Sequence, residues 1–586
     1  MIAESGHTQP TLASDDSPRL TGVCWLLRLI AVFIAAVHTT AAVLSQSMNE
    51  DGINYLDMGD AWMRGDWVEA VNGVWSPLYS VVLGGVISLV EPSVSSEFPV
   101  VQISNFVVFL VALACFDFFW SELTRRYRSS LAPTMVGFRP VAWVILGYSL
   151  FIWTSLNLIE IWAVTPDMSV AALVYLAAGL LLRHGEGPGN TGTSILFGVT
   201  LGLAYLAKAA LFVLGLALFI LWAVAGEGST RQRLRHVVIG LAAFIIVAAP
   251  FLTVLSLKTG AVTFSQVGTF TYLKHVNGMN YPYPRITPGM MSGAPEHPPR
   301  QVLTDPPVYE FAGPVGGTYP LAFDPGYWTA GIEPVVGIAQ QGRALAANGV
   351  FYFDLFVRQQ GLLIGALLLL LGSSYRRRSE VRLRSTESVL VLWGLAALSM
   401  YALVYVISRY VGPFVLLLLA CITSFVRLPA SDGARNLVSF GGAVMIIGVW
   451  LNIAALNLDG LAALTGVTLD TPMASGQFTD GHHADHPAIA EELEEAGIEK
   501  GSSVAFLGYS FPAYWARLAR VRIVAEIDPQ EVEQFWSLEG SRRATVIEAL
   551  AATPAEAVIA EPFGLVTPPP GWQRLGDTGY FFQRLR

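Results

Sequence analysis

The chain has 586 residues; 53% are hydrophobic, 13% are charged, and the formal net charge is −9. Soluble proteins carry about 25% charged residues, so the composition excludes an ordinary water-soluble chain and points to lipid as the main solvent. From Gly460 to the end, 17 Asp/Glu stand against 9 Lys/Arg, a net of −8, which leaves the remainder almost neutral. Neither part has the basic excess of a nucleic-acid binder. Cys24, Cys115 and Cys421 all fall in apolar runs, so the polar segments carry no disulfide framework.

Residues 1–20 are rich in Ser, Thr, Pro and Asp and read as a disordered tail. The apolar run 21–45 is too long, and too far from the start, for a cleaved signal peptide. It is long enough to cross a bilayer, which takes about 20 residues. Residues 46–97 form a segment rich in Asp and Trp. Within it 77–95 is apolar, but a span there would upset the alternation of basic loops, so an interfacial or re-entrant hairpin is expected. Further spans are predicted at 98–122, 139–160, 168–183, 194–224 and 237–256; the 194–224 stretch has room for two short spans broken near Lys208. A Pro-, Gly- and Tyr-rich segment, 257–349, precedes spans at 350–374, 387–407, 409–428 and 436–456. The total is about eleven spans. Basic clusters around Arg125–Arg128, Arg231–Arg235, Arg376–Arg384 and Arg427/Arg435 mark the cytoplasmic loops. Segments 46–97 and 257–349 and the C-terminus then lie outside.

The character changes at 458–586. A helix near 488–497, a strand at 503–508, a helix at 511–519 and a strand at 521–526 come first. Helices at 529–537 and 541–551 and strands at 556–560 and 580–585 follow. That alternation predicts a small α/β layer domain, folding alone from about residue 485. The fold class expected is an α-helical polytopic membrane protein, with a membrane domain at 21–457 and a small soluble α/β domain at 458–586.

Glu50, Asp51, Asp57, Asp60 and Asp66 lie within 17 residues, just past the first span. A surface loop needs polar residues for its own sake. A carboxylate held at the membrane surface also suits a general base or a metal ligand. Asp51 is the best placed of the aspartates because it follows the span most closely. Tyr55, Met58, Trp62 and Met63 have the spacing of an amphipathic helix lying on the membrane. His482, His483, Asp485 and His486 have a metal-like composition, although contiguous His in a linker is more often solvated surface. Gly508-Tyr509-Ser510-Phe511 sits between strand and helix but lacks the Gly-x-Ser-x-Gly pattern of a nucleophile elbow. No Gly-rich nucleotide loop is visible.

Four segments together resemble the lipid-linked-sugar glycosyltransferases of the GT-C superfamily, nearest the protein O-mannosyltransferase and lipid A aminoarabinose transferase branch. They are the Asp51-to-Tyr79 stretch with its "GDW" and Pro-Leu-Tyr turn, "TPDMSVAALVYLAAGLLLR", "GLAYLAKAALFVLG" and "SRYVGPF". The resemblance implies Asp51 and Asp167 as catalytic carboxylates, and Lys208 and Arg409 as donor-phosphate contacts, with Glu50, Tyr55, Lys274 and His275 in support. One departure stands out. The branch often has Lys before its Pro-Pro-Leu turn, whereas Val74-Trp75-Ser76-Pro77-Leu78 has none; Lys274, His275, Arg285 and Arg300 are the alternatives for that contact. Some relatives use a divalent cation such as Mg or Mn, which Asp51 and Asp167 would hold, and others do without.

The implied reaction moves a sugar from a polyprenyl phosphate to an acceptor hydroxyl on a periplasmic glycan, lipid or protein, at the outer face of the inner (plasma) membrane. An Asp base takes the acceptor proton, cations meet the departing phosphate, and direct attack inverts the anomeric centre. Each residue also has a plainer role. Lys208 can snorkel to the headgroups, Arg409 can anchor its helix, and Asp167 can begin one. Rival readings are a transporter or flippase, for which no internal repeat is seen, and a scaffold that presents its soluble tail.

Overall fold

The computed structural model describes residues 17–46, 48–184, 190–283, 287–375, 385–465, 486–561 and 567–586. Most of the tail expected at 1–20, and His482–Asp485, lie outside them; the first helix, α1, starts already at Ser17 (Ser17–Ser45). There follow α2 (Glu50–Arg64), α3 (Pro77–Val90), α4 (Glu97–Ser129) and α5 (Pro140–Ile152), the last continuing as a π-turn to Leu158. Then come α6 (Asp167–His184), α7 (Thr191–Ala207), α8 (Ala210–Ala225), α9 (Thr230–Thr259) and α10 (Val267–His275). After the long loop, α11 (Ile338–Phe353), α12 (Gly361–Tyr375), α13 (Thr386–Ala402), α14 (Ser408–Thr423) and α15 (Asp432–Thr465) complete the helical body.

Among the described residues six helices are long and apolar enough to cross a bilayer, and α11 with α12, bent by 82°, make a seventh if counted as one. Helices α3, α7, α8, α13 and α14 are shorter apolar rods. Leu29, Phe33, Ile246 and Leu257 stand exposed on this body, as lipid-facing residues should. Lys208 separates α7 from α8 with extended backbone, φ −155° and ψ 124°. No Gly or Pro makes that break; its effect is to turn the Lys208 amine toward Asp167.

Segment 77–95 is not a hairpin. It is one helix, α3, started by Pro77 and stopped by Glu91 in the left-handed region at φ 47°. Its 14 residues cover about 21 Å, short of the ~30 Å hydrocarbon core. Nor does α2 lay an apolar face on the membrane. Tyr55 and Met58 are buried in protein and only Met63 is well exposed. Gly59 and Gly84 explain this: a Cβ on Gly59 would meet the Ser80 carbonyl at 2.7 Å, and one on Gly84 the Gly59 carbonyl at 2.4 Å. Bare backbone lets α2 and α3 cross in contact, with Tyr55 packed edge-on to Trp75 and Tyr79.

The tail does not build its sheet alone. Strands β1 (Arg300–Thr304) and β2 (Pro307–Glu310) of the 257–349 loop join β3 (Ser503–Leu507), β4 (Arg522–Ile527), β5 (Ala557–Ala560), β6 (Gln573–Arg574) and β7 (Phe581–Arg584). The order is β6-β7-β5-β3-β4-β2-β1. Pairs β3/β4 and β3/β5 are parallel and the rest antiparallel, with Val308 opposite Ile527. The tail helices α16 (His486–Glu495), α17 (Tyr514–Leu518) and α18 (Gly540–Ala551) lie close to their expected places. His486, the last of the His-rich run, is buried here and accepts from the Trp515 amide at 3.0 Å. One face of the sheet shares a hydrophobic core with α2, α3 and the loop residues Tyr309–Trp328.

That shared core encloses Glu526 of β4, fully buried. Its carboxylate accepts from Tyr319 at 2.7 Å and from Tyr283 and Ser510, with no ion-pair partner among the described residues. Burial pushes its carboxyl up to about 7, despite the three hydroxyls. A carboxyl raised on folding contributes stability that is fully present below its unfolded value and lost as pH rises through the folded value. The loss therefore falls between about 4.5 and 7. In Glu526→Gln that loss disappears. The melting temperature of the variant, measured against wild type, should gain from pH 5 to about pH 7 and then level off; parallel curves would exclude Glu526 as the cause.

Candidate active site

The site forms where four helices begin. Glu50 and Asp51 open α2, Asp167 opens α6, Lys208 caps the end of α7 just ahead of Ala209 and α8, and Arg409 lies in the first turn of α14. Helix N-termini carry partial positive charge and unpaired N–H groups, which favour carboxylates and phosphates. Asn49 sets the geometry. Its Oδ1 accepts from the Val164 amide at 2.7 Å, tying the start of α2 to the segment just before Asp167. Gly52 permits the approach, since a Cβ there would lie 2.7 Å from Val164.

Arg409 is the hub. Its Nη2 meets Asp51 Oδ2 at 2.6 Å, and its Nε is 3.4 Å from Asp167 Oδ2. Lys208 pairs with the other Asp167 oxygen and lies over the Tyr410 ring, 3.5 Å from its centroid. Asp167 is buried, whereas Asp51, Lys208 and Arg409 keep partial exposure. Asp167 thus faces both cations as well as opening α6, and the Lys208 amine is directed to Asp167.

The five acids of residues 50–66 divide by role. Glu50 joins the site and accepts from the Tyr509 hydroxyl at 3.2 Å. Asp57 and Asp60 lie further along α2, gripped by Arg517 at 2.7 and 3.0 Å. Asp66 caps residues 67–70, accepting from the amides of Val68 and Glu69. Tyr55 is buried beneath Asp51 and Asp167 and feels both charges. Lys274 lies close enough to stabilise an ionised Glu50. His275 does not join; its ring stacks on Tyr405 at 3.7 Å. Arg300 is committed to Glu310 in the sheet, and Arg285 lies outside the described residues.

Sequence reasoning missed Glu160. It sits in the 159–166 segment at φ 65°, a conformation rare for a non-glycine residue and common at functional sites. Burial pushes its carboxyl up to about 7, against the opposing pull of Arg409. As a lone acid ending an apolar run it could have been noticed. The contacts of Tyr509, in a turn noted only for lacking a nucleophile pattern, and of Arg517 were also missed, because contacts more than 400 residues apart leave no local trace.

For a divalent ion the donor set does not fit as it stands. The carboxylates Asp51 and Asp167 already face Arg409 and Lys208, and no group of three or more His, Cys, Asp or Glu able to hold a metal occurs among the described residues. Hard divalent ions take six or more oxygens.

No family model and no curated protein sequence matches the chain. Solved structures do. ArnT from Cupriavidus metallidurans bound to undecaprenyl phosphate is similar with a TM-score of 0.53 at 12% identity, over 96% of this chain and 98% of that one. The chain has the GT-C fold. The apo state of the same ArnT gives a TM-score of 0.50 at the same identity and coverage. An oligosaccharyltransferase from Archaeoglobus fulgidus, in complex with Zn and sulfate, gives 0.48 at 12% identity, covering 91% of this chain and 68% of that one. With ArnT the likeness runs nearly end to end, so the GT-C fold here includes the C-terminal sheet as well as the helical body.

Proposed function

We propose that the protein is an integral membrane glycosyltransferase. It moves a sugar from a polyprenyl-phosphate donor to an acceptor hydroxyl on the outer, periplasmic-type face of the inner membrane. The observation that carries this reading is the meeting of Asp51, Asp167, Lys208 and Arg409 at one point, though Asp51 and Arg409 are 358 positions apart. The GT-C fold supports it, as does the undecaprenyl phosphate on the similar ArnT. Helix α4 supports that sidedness. Glu97 at one end bonds the C-terminal domain, and Arg126 at the other ties the loop residue Glu227 to Glu387 in the first turn of α13, at 2.5 and 2.8 Å. The basic end is cytoplasmic, and the site and sheet are outside.

The donor phosphate binds Lys208 and Arg409, which neutralise it as it leaves. The acceptor oxygen attacks the anomeric carbon, the bond to the phosphate oxygen breaks with its electron pair on the phosphate, and Asp51 takes the acceptor proton. The products are a glycosylated acceptor and polyprenyl phosphate, and the anomeric configuration inverts. Arg409 holds Asp51 at 2.6 Å. A phosphate that engages Arg409 competes with that pair and frees the carboxylate, so the base is released when the donor is present. Asp167 keeps Lys208 and Arg409 in place.

Lys208→Ala should weaken binding of undecaprenyl phosphate by roughly 10- to 100-fold, because a charge-assisted contact contributes about 1.5–3 kcal/mol. Titration of purified protein with the lipid checks it. Unchanged affinity removes Lys208 from the phosphate site. The reading as a whole is tested by a transfer assay with purified protein, radiolabelled polyprenyl-phosphate sugars and a membrane extract as acceptor source.

A further inference from the structure

The C-terminal domain reaches the site through one short turn. Residues 508–511 join β3 to the segment leading into α17. Tyr509 in that turn is 47% exposed, yet its hydroxyl donates to Glu50 Oε1 at 3.2 Å. The turn is held on several sides. Ser510 donates to the buried Glu526, and Phe511 packs against Tyr319 at 5.2 Å and Tyr281 at 6.0 Å. Tyr509 itself packs on Phe511 at 5.5 Å. Behind the turn, Arg517 of α17 is 1% exposed and locked to Asp57 and Asp60. Those two aspartates are on α2, whose first turn carries Glu50 and Asp51. The domain therefore grips one helix twice, by charge along its length and by a phenol at its catalytic end.

We propose that Tyr509 is a positioning residue for the transfer site, holding the Glu50 carboxylate by its hydroxyl beside Asp51, so that the C-terminal domain is part of the site rather than an appendage. This rests on the glycosyltransferase reading. The groups facing Glu50 are Asp51 on its own helix, Lys274 on α10, Arg409 on α14 and the Tyr509 hydroxyl. The protein packed around Glu50, and then the Asp51 charge, raise its carboxyl; Tyr509, Lys274 and Arg409 oppose them. A hydrogen bond to the charged form favours that form, so losing the hydroxyl raises the Glu50 carboxyl further. An ionised Glu50 adds negative potential where the acceptor proton must arrive.

Tyr509→Phe in the full-length protein keeps the ring and removes one oxygen. With radiolabelled undecaprenyl-phosphate sugars and a membrane extract, the acid limb of kcat against pH should move up by about half to one unit. On that limb kcat should fall roughly three- to tenfold, with no rise in donor KM. A merely structural tyrosine would leave the profile in place, and superimposable profiles overturn the proposal. A second arm needs no transfer. Affinity for undecaprenyl phosphate should decline as Glu50 ionises, and in Tyr509→Phe the decline should come at higher pH; coincident curves overturn the proposal. If wild type binds the lipid but transfers no sugar, the glycosyltransferase reading fails and the binding arm alone decides the role of Tyr509.

Discussion

Replacing Arg517 by Met should destabilise the protein by about 3–5 kcal/mol, the usual effect of removing one partner from a buried ion-pair network. Arg517 meets Glu97 at 2.9 Å, Asp57 at 2.7 Å and Asp60 at 3.0 Å. Arg520 shares Asp60 and Glu97, the latter at 2.9 Å, but is partly exposed. Three carboxylates thus rest on two cations. Burial works against the Arg517 charge, yet Glu97, Asp60 and Asp57 together hold its guanidinium firmly protonated. Asp57 is the weak member; burial raises its carboxyl in spite of Arg517 and the Thr318 amide. Met preserves volume but leaves the carboxylates unbalanced, so the C-terminal domain should detach from α2 and α4. Hydrogen exchange measures this directly. Amides of 50–64 and 514–520 should exchange roughly 10²- to 10³-fold faster, with α9 and α15 unaffected. Arg517→Lys should recover only part, since an ammonium lacks the fork that serves three carboxylates. Unchanged exchange in Arg517→Met would mean that the clamp does not hold the domain.

How much of this was legible in the sequence depends on the range of each interaction. The long apolar helices and the alternation of the tail are local patterns, and α1, α4, α9 and β3 fall close to where hydropathy and period put them. Lys208, Asp167 and Arg409 were legible because a charge at the end of an apolar run is costly and calls for a partner. Which partner each would take was not, since pairing is a tertiary fact. The same limit explains α2. Its apolar residues have helical spacing whether they meet lipid or protein, and only the contact of Gly59 with Gly84 decides for protein. It also explains the sheet. Strands β1 and β2 are short runs in a Pro-rich loop, recognisable as strands once β4 offers an edge. Arg517 lies in the run Tyr514–Leu518, which reads as an ordinary amphipathic helix. A fully buried Arg is rare unless paired, but its carboxylates are about 420 and 460 positions away.

Asp51→Asn should lower turnover by roughly 10²–10⁴-fold, the usual span for loss of a general base. Asn keeps the shape of the side chain and can still take part in hydrogen bonding, so α2 and its Asn49 tether to Val164 stay in place. The charge is what goes. Arg409 then loses its 2.6 Å partner and keeps Asp167 at 3.4 Å, which leaves the guanidinium freer for a phosphate. Affinity for undecaprenyl phosphate should therefore be retained or improved while transfer collapses. That combination separates the readings. A scaffold would be indifferent to the substitution. A residue needed only for donor binding would lose affinity along with rate. The measurement is turnover and lipid affinity on one purified preparation, with hydrogen exchange of 50–64 as the control for folding. If turnover stayed near normal, Asp51 would leave the mechanism. Asp57 and Asp60 would not succeed it, because Arg517 holds both. The base would then be sought in Glu50, raised by crowding and by Asp51, or in Glu160, pushed up to about 7 on the neighbouring segment.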